Sequence, residues 1–134
     1  QKAAPHRSHF LGLLTYIDYA WALAAADVCL LPYSDLPINR ARYPNKLGDY
    51  MAAARPVVTS PVGDLAELIA EHTIGISAPA TGAAQAAAVI VLLNDPQQAQ
   101  KLGENGRKLA ETRLNWAALA HSLVEFLSTL GAKG

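Results

Sequence analysis

Short apolar runs alternate along this chain with longer helical stretches, and that alternation limits the fold more than any other feature. Strands separated by helices build βαβ units, which pair in parallel and need helices on both faces of the sheet. The run Asp27–Tyr33 (DVCLLPY) is almost wholly apolar and stops at Pro32, as a strand buried on both faces should. Pro56–Ser60 (PVVTS) reads as a second buried strand and Ile74–Ser77 as a short third, while Ser8–Leu14 (SHFLGLL) reads as a strand interrupted by Gly12. Ile17–Ala26, Asn45–Ala54 and Val62–Glu71 read as the intervening helices. Ser34–Tyr43 carries Pro37, Asn39 and two arginines with no apolar periodicity, so it reads as a loop. The pattern predicts an α/β fold, a Rossmann-like parallel sheet with helices on both faces. Sheets of this kind are usually larger than four strands, so further strands are expected ahead of this sequence, which begins at Gln1.

From Gly82 the reading turns wholly helical, over Gly82–Leu93, Pro96–Thr112 and Trp116–Leu130. The last is the clearest. Asn115 stands where an N-cap belongs, and Leu119, Leu123, Phe126, Leu127 and Leu130 fall on one stripe of period 3.6. Such a stripe requires a surface to cover, in this domain or in a neighbour.

The length of 134 residues suits one domain, taken as 1–134 with 115–130 as its terminal helix. Eleven basic and eleven acidic side chains leave no net charge, which gives no footprint for nucleic acid and no basic tract for an anionic membrane. Cys29 is the sole cysteine and lies inside VCLL, the setting of a buried, inert thiol. No run approaches the ~20 apolar residues that span a bilayer. Neither a dinucleotide nor a P-loop glycine fingerprint occurs, and GENG (Gly103–Gly106) lies in the helical tail. The histidines, His6, His9, His72 and His121, are scattered without metal-ligand spacing, so no metal is expected.

Open parallel sheets bind ligands beyond the carboxyl ends of their strands. Three segments qualify: Gly12–Tyr16, the long loop after LLPY, and SPVGD (Ser60–Asp64). The long loop runs into a helix starting near Asn45, whose free N–H groups and dipole suit a diphosphate. Arg40, Arg42 and Lys46 add positive charge there. Lys46 and Asp49, three apart, share a helix face, and a carboxylate there can accept both hydroxyls of a ribose. The same two residues also fit an exposed i, i+3 pair contributing ~0.2–0.5 kcal/mol. SPVGD fits a plain tight turn.

The order FLGLL, AAADVCLLPY, KLGDYMAAARPVVTSPVGDLAELI, IGISAPA and LNWAALAHSLVEFL resembles the C-terminal domain of family-4 retaining glycosyltransferases. The resemblance runs from Phe10 to Leu130 and is carried by order and spacing more than by single letters. It implies the C-terminal half of a GT-B fold lacking its first strands, with the nucleotide-diphosphate sugar bound here. The acceptor would sit on an N-terminal domain of the same protein. It also implies sugar transfer with retention and no cofactor or metal.

By position, the resemblance gives Asp49 the ribose-gripping role of the second glutamate in the family's E-x7-E motif. Lys46, with Asn45 and Arg42 beside it, takes the phosphate end, and Gly12, Leu13 and Leu14 approach the nucleobase through their backbone. No residue is assigned to catalysis. The sequence departs from the family twice. The motif's first glutamate falls at Ala41, and Ala54 replaces the glycine that closes the helix, at a cost of ~1 kcal/mol if Ala54 is left-handed.

The expectation is a hexosyltransferase domain that is inactive without its partner domain. A GT-B-like binding or scaffolding domain is the alternative, and a flavodoxin-like regulatory domain a third. The nucleotide-sugar pool implies a cytoplasmic location, compatible with peripheral attachment of the full-length enzyme to the inner membrane face.

Overall fold

The computed structural model describes residues 8–131, so His6 lies outside the described residues. Three parallel strands, β1 (Cys29–Leu31), β2 (Val57–Thr59) and β3 (Gly75–Ser77), form a sheet in that order. Cys29 pairs with Val57 and Val57 with Gly75, and the register continues without a bulge. The helices are α1 (Tyr16–Ala24), α2 (Pro37–Arg40), α3 (Asn45–Ala52), α4 (Asp64–His72), α5 (Gly82–Asn94), α6 (Pro96–Thr112) and α7 (Trp116–Gly131).

Successive strand residues point to opposite faces, and the core divides accordingly. Val57 packs with Leu47 and Met51 of α3, Leu65 and Ile69 of α4, and Leu109 of α6. Its neighbour Val58 packs on the other side with Ala88 and Leu92 of α5 and Leu102 of α6. Helices therefore cover both faces, and α6 contributes to both clusters. Leu47 and Met51 are fully buried, each contributing about 1.5–3 kcal/mol.

The α6 helix reaches this position because two of its residues have no side chain. A Cβ on Gly103 would lie 2.1 Å from the Ala54 carbonyl oxygen, and one on Gly106 would press on Met51. GENG thus works as a packing surface. It meets the C-terminus of α3, where the Arg55 amide donates to Tyr50 and the Ala54 amide to Met51, the paired bonds of a Schellman end. Ala54 sits there at φ 54°, in the left-handed region, so the conditional cost of ~1 kcal/mol applies.

Two expectations change. Ser8–Leu14 is not a strand: Gly12 takes a positive φ of 68°, the described chain bends at Leu13, and Phe10 and Leu13 are fully exposed. A strand exists only through a ladder to a neighbour, and no described strand lies beside this run. Within Ser34–Tyr43, α2 forms one turn, opened by Pro37 at its first position.

Candidate functional site

The carboxyl ends of β1 and β2 are fastened together. The Thr59 hydroxyl donates to the Leu31 carbonyl at 2.7 Å, and the Tyr33 amide donates to Ser60 Oγ at 3.1 Å. These bonds fix the point where the chain leaves β1 for the long loop. The loop then returns through Arg42 and Tyr43 to α3, enclosing a hollow of about 570 Å³ lined by Tyr33, Arg42, Tyr43, Asn45, Lys46 and Tyr50 among others.

Among the described helices longer than the one-turn α2, the α3 start stands apart. Thr15, Thr81, Asp95 and Asn115 cap α1, α5, α6 and α7 with side-chain oxygens. By contrast, α3 begins at Pro44 with no side-chain cap and no acid in its first turn. The Leu47 amide turns back to the Pro44 carbonyl at 2.9 Å, which leaves the amides of Asn45 and Lys46 and the helix dipole to the hollow those two residues line. Although α4 also lacks a side-chain cap, Asp64 and Glu67 supply negative charge in its first turn.

Arg42 lies 4.5 Å from the centre of the Tyr33 ring, a cation–π contact that holds the guanidinium at the rim. Burial raises the Tyr43 and Tyr50 phenols above their ordinary range, so both stay protonated donors at neutral pH. Arg40 is taken up elsewhere, in a two-pronged bond to Asp35 whose Nη2–Oδ2 arm is 2.7 Å. That bond holds the Asp35 carboxyl below its usual range and removes Arg40 from the charge available to a ligand.

The sequence-derived residues are thus divided. Arg42, Asn45 and Lys46 come together in the hollow; Asp49 and Gly12–Leu14 do not line it. Lys46 and Asp49 form no ion pair. Asp49 Oδ2 instead accepts a 3.1 Å hydrogen bond from the Tyr19 phenol, whose pKa burial and Asp49 together push up to about 12. The tyrosines 19, 33, 43 and 50 escaped sequence reasoning. Their only signal was Tyr33 at the end of a buried strand and Tyr43 and Tyr50 flanking NKLGD.

The SPVGD turn meets this loop through Gly63, at φ 57° and ψ −148°, a conformation almost restricted to glycine. Any Cβ there would stand 2.7 Å from the Arg40 carbonyl oxygen. A second hollow of about 620 Å³ lies at the opposite end of the strands, bordered by Asp27, Arg55 and Pro56. Ligands of open parallel sheets gather at the carboxyl ends, which singles out the hollow beside α3. Among the described residues no three of His, Cys, Asp and Glu come together as metal ligands. Nor is any described helix long and apolar enough to cross a membrane.

A parallel sheet with helices on both faces and a basic, uncapped helix start at its carboxyl edge defines a Rossmann-type domain. Residues 1–95 match the family described as Glycosyl transferases group 1, and the chain belongs to that family. It is 31% identical over 124 residues to glycogen synthase of Mycobacterium tuberculosis in two strains, a match covering 89% of this chain and 29% of the relative. The solved structure of sucrose-phosphate synthase from Thermosynechococcus elongatus aligns with a TM-score of 0.78 at 30% identity, over 96% of this chain and 31% of that one. The fold is accordingly GT-B-like, and the chain spans less than a third of the length of these relatives.

Proposed function

We propose that this chain is the donor-binding domain of a family-4 retaining hexosyltransferase. The observation that carries the reading is the uncapped start of α3, opening with Asn45 and Lys46 into a hollow rimmed by Arg42. The diphosphate of a nucleotide sugar fits that start, where free amides, the helix dipole and Lys46 stabilise the charge that develops as the diphosphate departs. Asp49, one turn further on, holds the ribose, and Gly12–Leu14 lie towards the base. The acceptor is held by an N-terminal domain of the same protein, and the donor is drawn from the cytoplasmic nucleotide-sugar pool. The names of the relatives, glycogen synthase and sucrose-phosphate synthase, support hexosyl transfer.

Calorimetry of the intact protein against UDP, GDP and ADP is expected to show binding by at least one, in the low-micromolar to millimolar range. Silence with all three would sink the donor site. Asp49→Ala should weaken the bound nucleoside diphosphate about tenfold and leave pyrophosphate unaffected. Equal loss for both would remove Asp49 from the ribose.

A second reading, binding or scaffolding without transfer, is favoured by Ala41. It ends α2 exposed and brings no carboxylate where the family has its first glutamate. Sugar transfer by the intact protein would decide against that reading, and nucleotide binding without transfer or donor hydrolysis would decide for it.

A further inference from the structure

The Tyr19–Asp49 hydrogen bond joins helices that otherwise touch little, because α1 buries none of its residues. Tyr16 and Trp21 on the same helix are 86% and 70% exposed, whereas Tyr19 is partly buried and reaches α3. We infer that Tyr19 and Asp49 form a joint ribose clamp, in which the phenol oxygen accepts one nucleoside hydroxyl and the free Asp49 oxygen accepts the other. This inference rests on the donor-site reading above.

The chemistry begins with reach. Aspartate is one methylene shorter than the glutamate that the resemblance puts at this position, and one of its oxygens already accepts the Tyr19 hydrogen bond. A phenol that donates one hydrogen bond keeps lone-pair capacity to accept another. The pair therefore presents two acceptors, Asp49 Oδ1 and the Tyr19 oxygen, which is what a vicinal diol needs. Neither side chain makes another hydrogen bond or an ion pair among the described residues.

The path through the Tyr19–Asp49 bond supports the assignment. Gly12–Leu14 lead directly into α1, Tyr19 lies on α1 against Asp49, and Lys46 stands one turn before Asp49 at the start of α3. Along α1, across that bond and back one turn of α3, the positions proposed for base, ribose and phosphate follow one another.

The test uses the intact protein and whichever of UDP, GDP and ADP binds most tightly, compared with its 2′-deoxy and 3′-deoxy analogues and with pyrophosphate. Wild type is expected to prefer the ribonucleotide over each analogue about tenfold. Tyr19→Phe should weaken the ribonucleotide about fivefold, abolish the preference against one analogue only, and leave pyrophosphate binding unchanged. Adding Asp49→Glu to Tyr19→Phe should restore that preference, since the longer carboxylate reaches both hydroxyls unaided. Wild-type preferences retained in Tyr19→Phe overturn the clamp, even if the variant melts earlier, and leave the donor site standing. A pyrophosphate loss matching the nucleotide loss also overturns it. No nucleotide binding by wild type removes the donor site and the clamp together.

Discussion

The last two long helices, α6 with 17 residues and α7 with 16, differ in how composition relates to burial. Rich in glutamine, lysine and glutamate, α6 still buries Leu102, Gly103, Gly106 and Leu109. The more apolar α7 buries nothing, and its stripe of Leu119, Leu123, Phe126, Leu127 and Leu130 is between 44% and 59% exposed. Hydrophobicity measures what a helix gains once covered; shape and reach decide whether it is covered. Where α6 lacks a Cβ, it comes close enough to meet a carbonyl, and its leucines follow the glycines inward. It also holds the far side of the junction, with Asn105 donating to the Thr73 carbonyl and Arg107 to that of Ala52. The α7 stripe has the right period and no described surface within reach.

The contrast breaks most readily at Gly103. Gly103→Ala forces a methyl group towards the backbone oxygen of Ala54, and chemical denaturation should show a loss of about 3 kcal/mol or more. A loss below about 1 kcal/mol would mean that α6 shifts freely and that close approach does not seat it. Ala54→Gly sharpens the same junction in the other direction. It relieves a left-handed alanine at the end of α3, and stability should rise by about 1 kcal/mol. An unchanged midpoint would show that the α6 contact already offsets the strain. The smallest effect belongs to α7: Leu123→Ser, at a position 58% exposed, should stay within about 0.5 kcal/mol. A larger loss, or a second species in ultracentrifugation, would show that the stripe is covered in solution.

What could be read in the sequence follows the range of each interaction. The terminal helix was legible because its period and its cap are local, and Asn115 does accept from the Ala118 amide. The strand in VCLL was legible from its unbroken apolar run, but its burial on both faces was not borne out: Leu30 is 46% exposed, because β1 lies at the edge of the described sheet. By contrast, Ser8–Leu14 has the same look, but strand formation needs a partner that no local pattern supplies. One turn of helix at Pro37–Arg40 is too short to show a period. At the candidate site, Lys46 and Asn45 were legible from their place at a helix start. The Tyr19–Asp49 bond spans 30 residues, and no spacing rule predicts a contact between helices so far apart in the chain.

The bare Cα of Gly63 against the Arg40 carbonyl has a consequence for how the site breathes. Two loops from different strand ends meet there with no side chain to cushion them, so neither can lift without unseating the other. Amide exchange in Ser60–Asp64 and in the α2 turn should therefore slow together when the hollow beside α3 fills. A probe placed at exposed Pro61 of the SPVGD turn would then report occupancy of a hollow that Pro61 does not line.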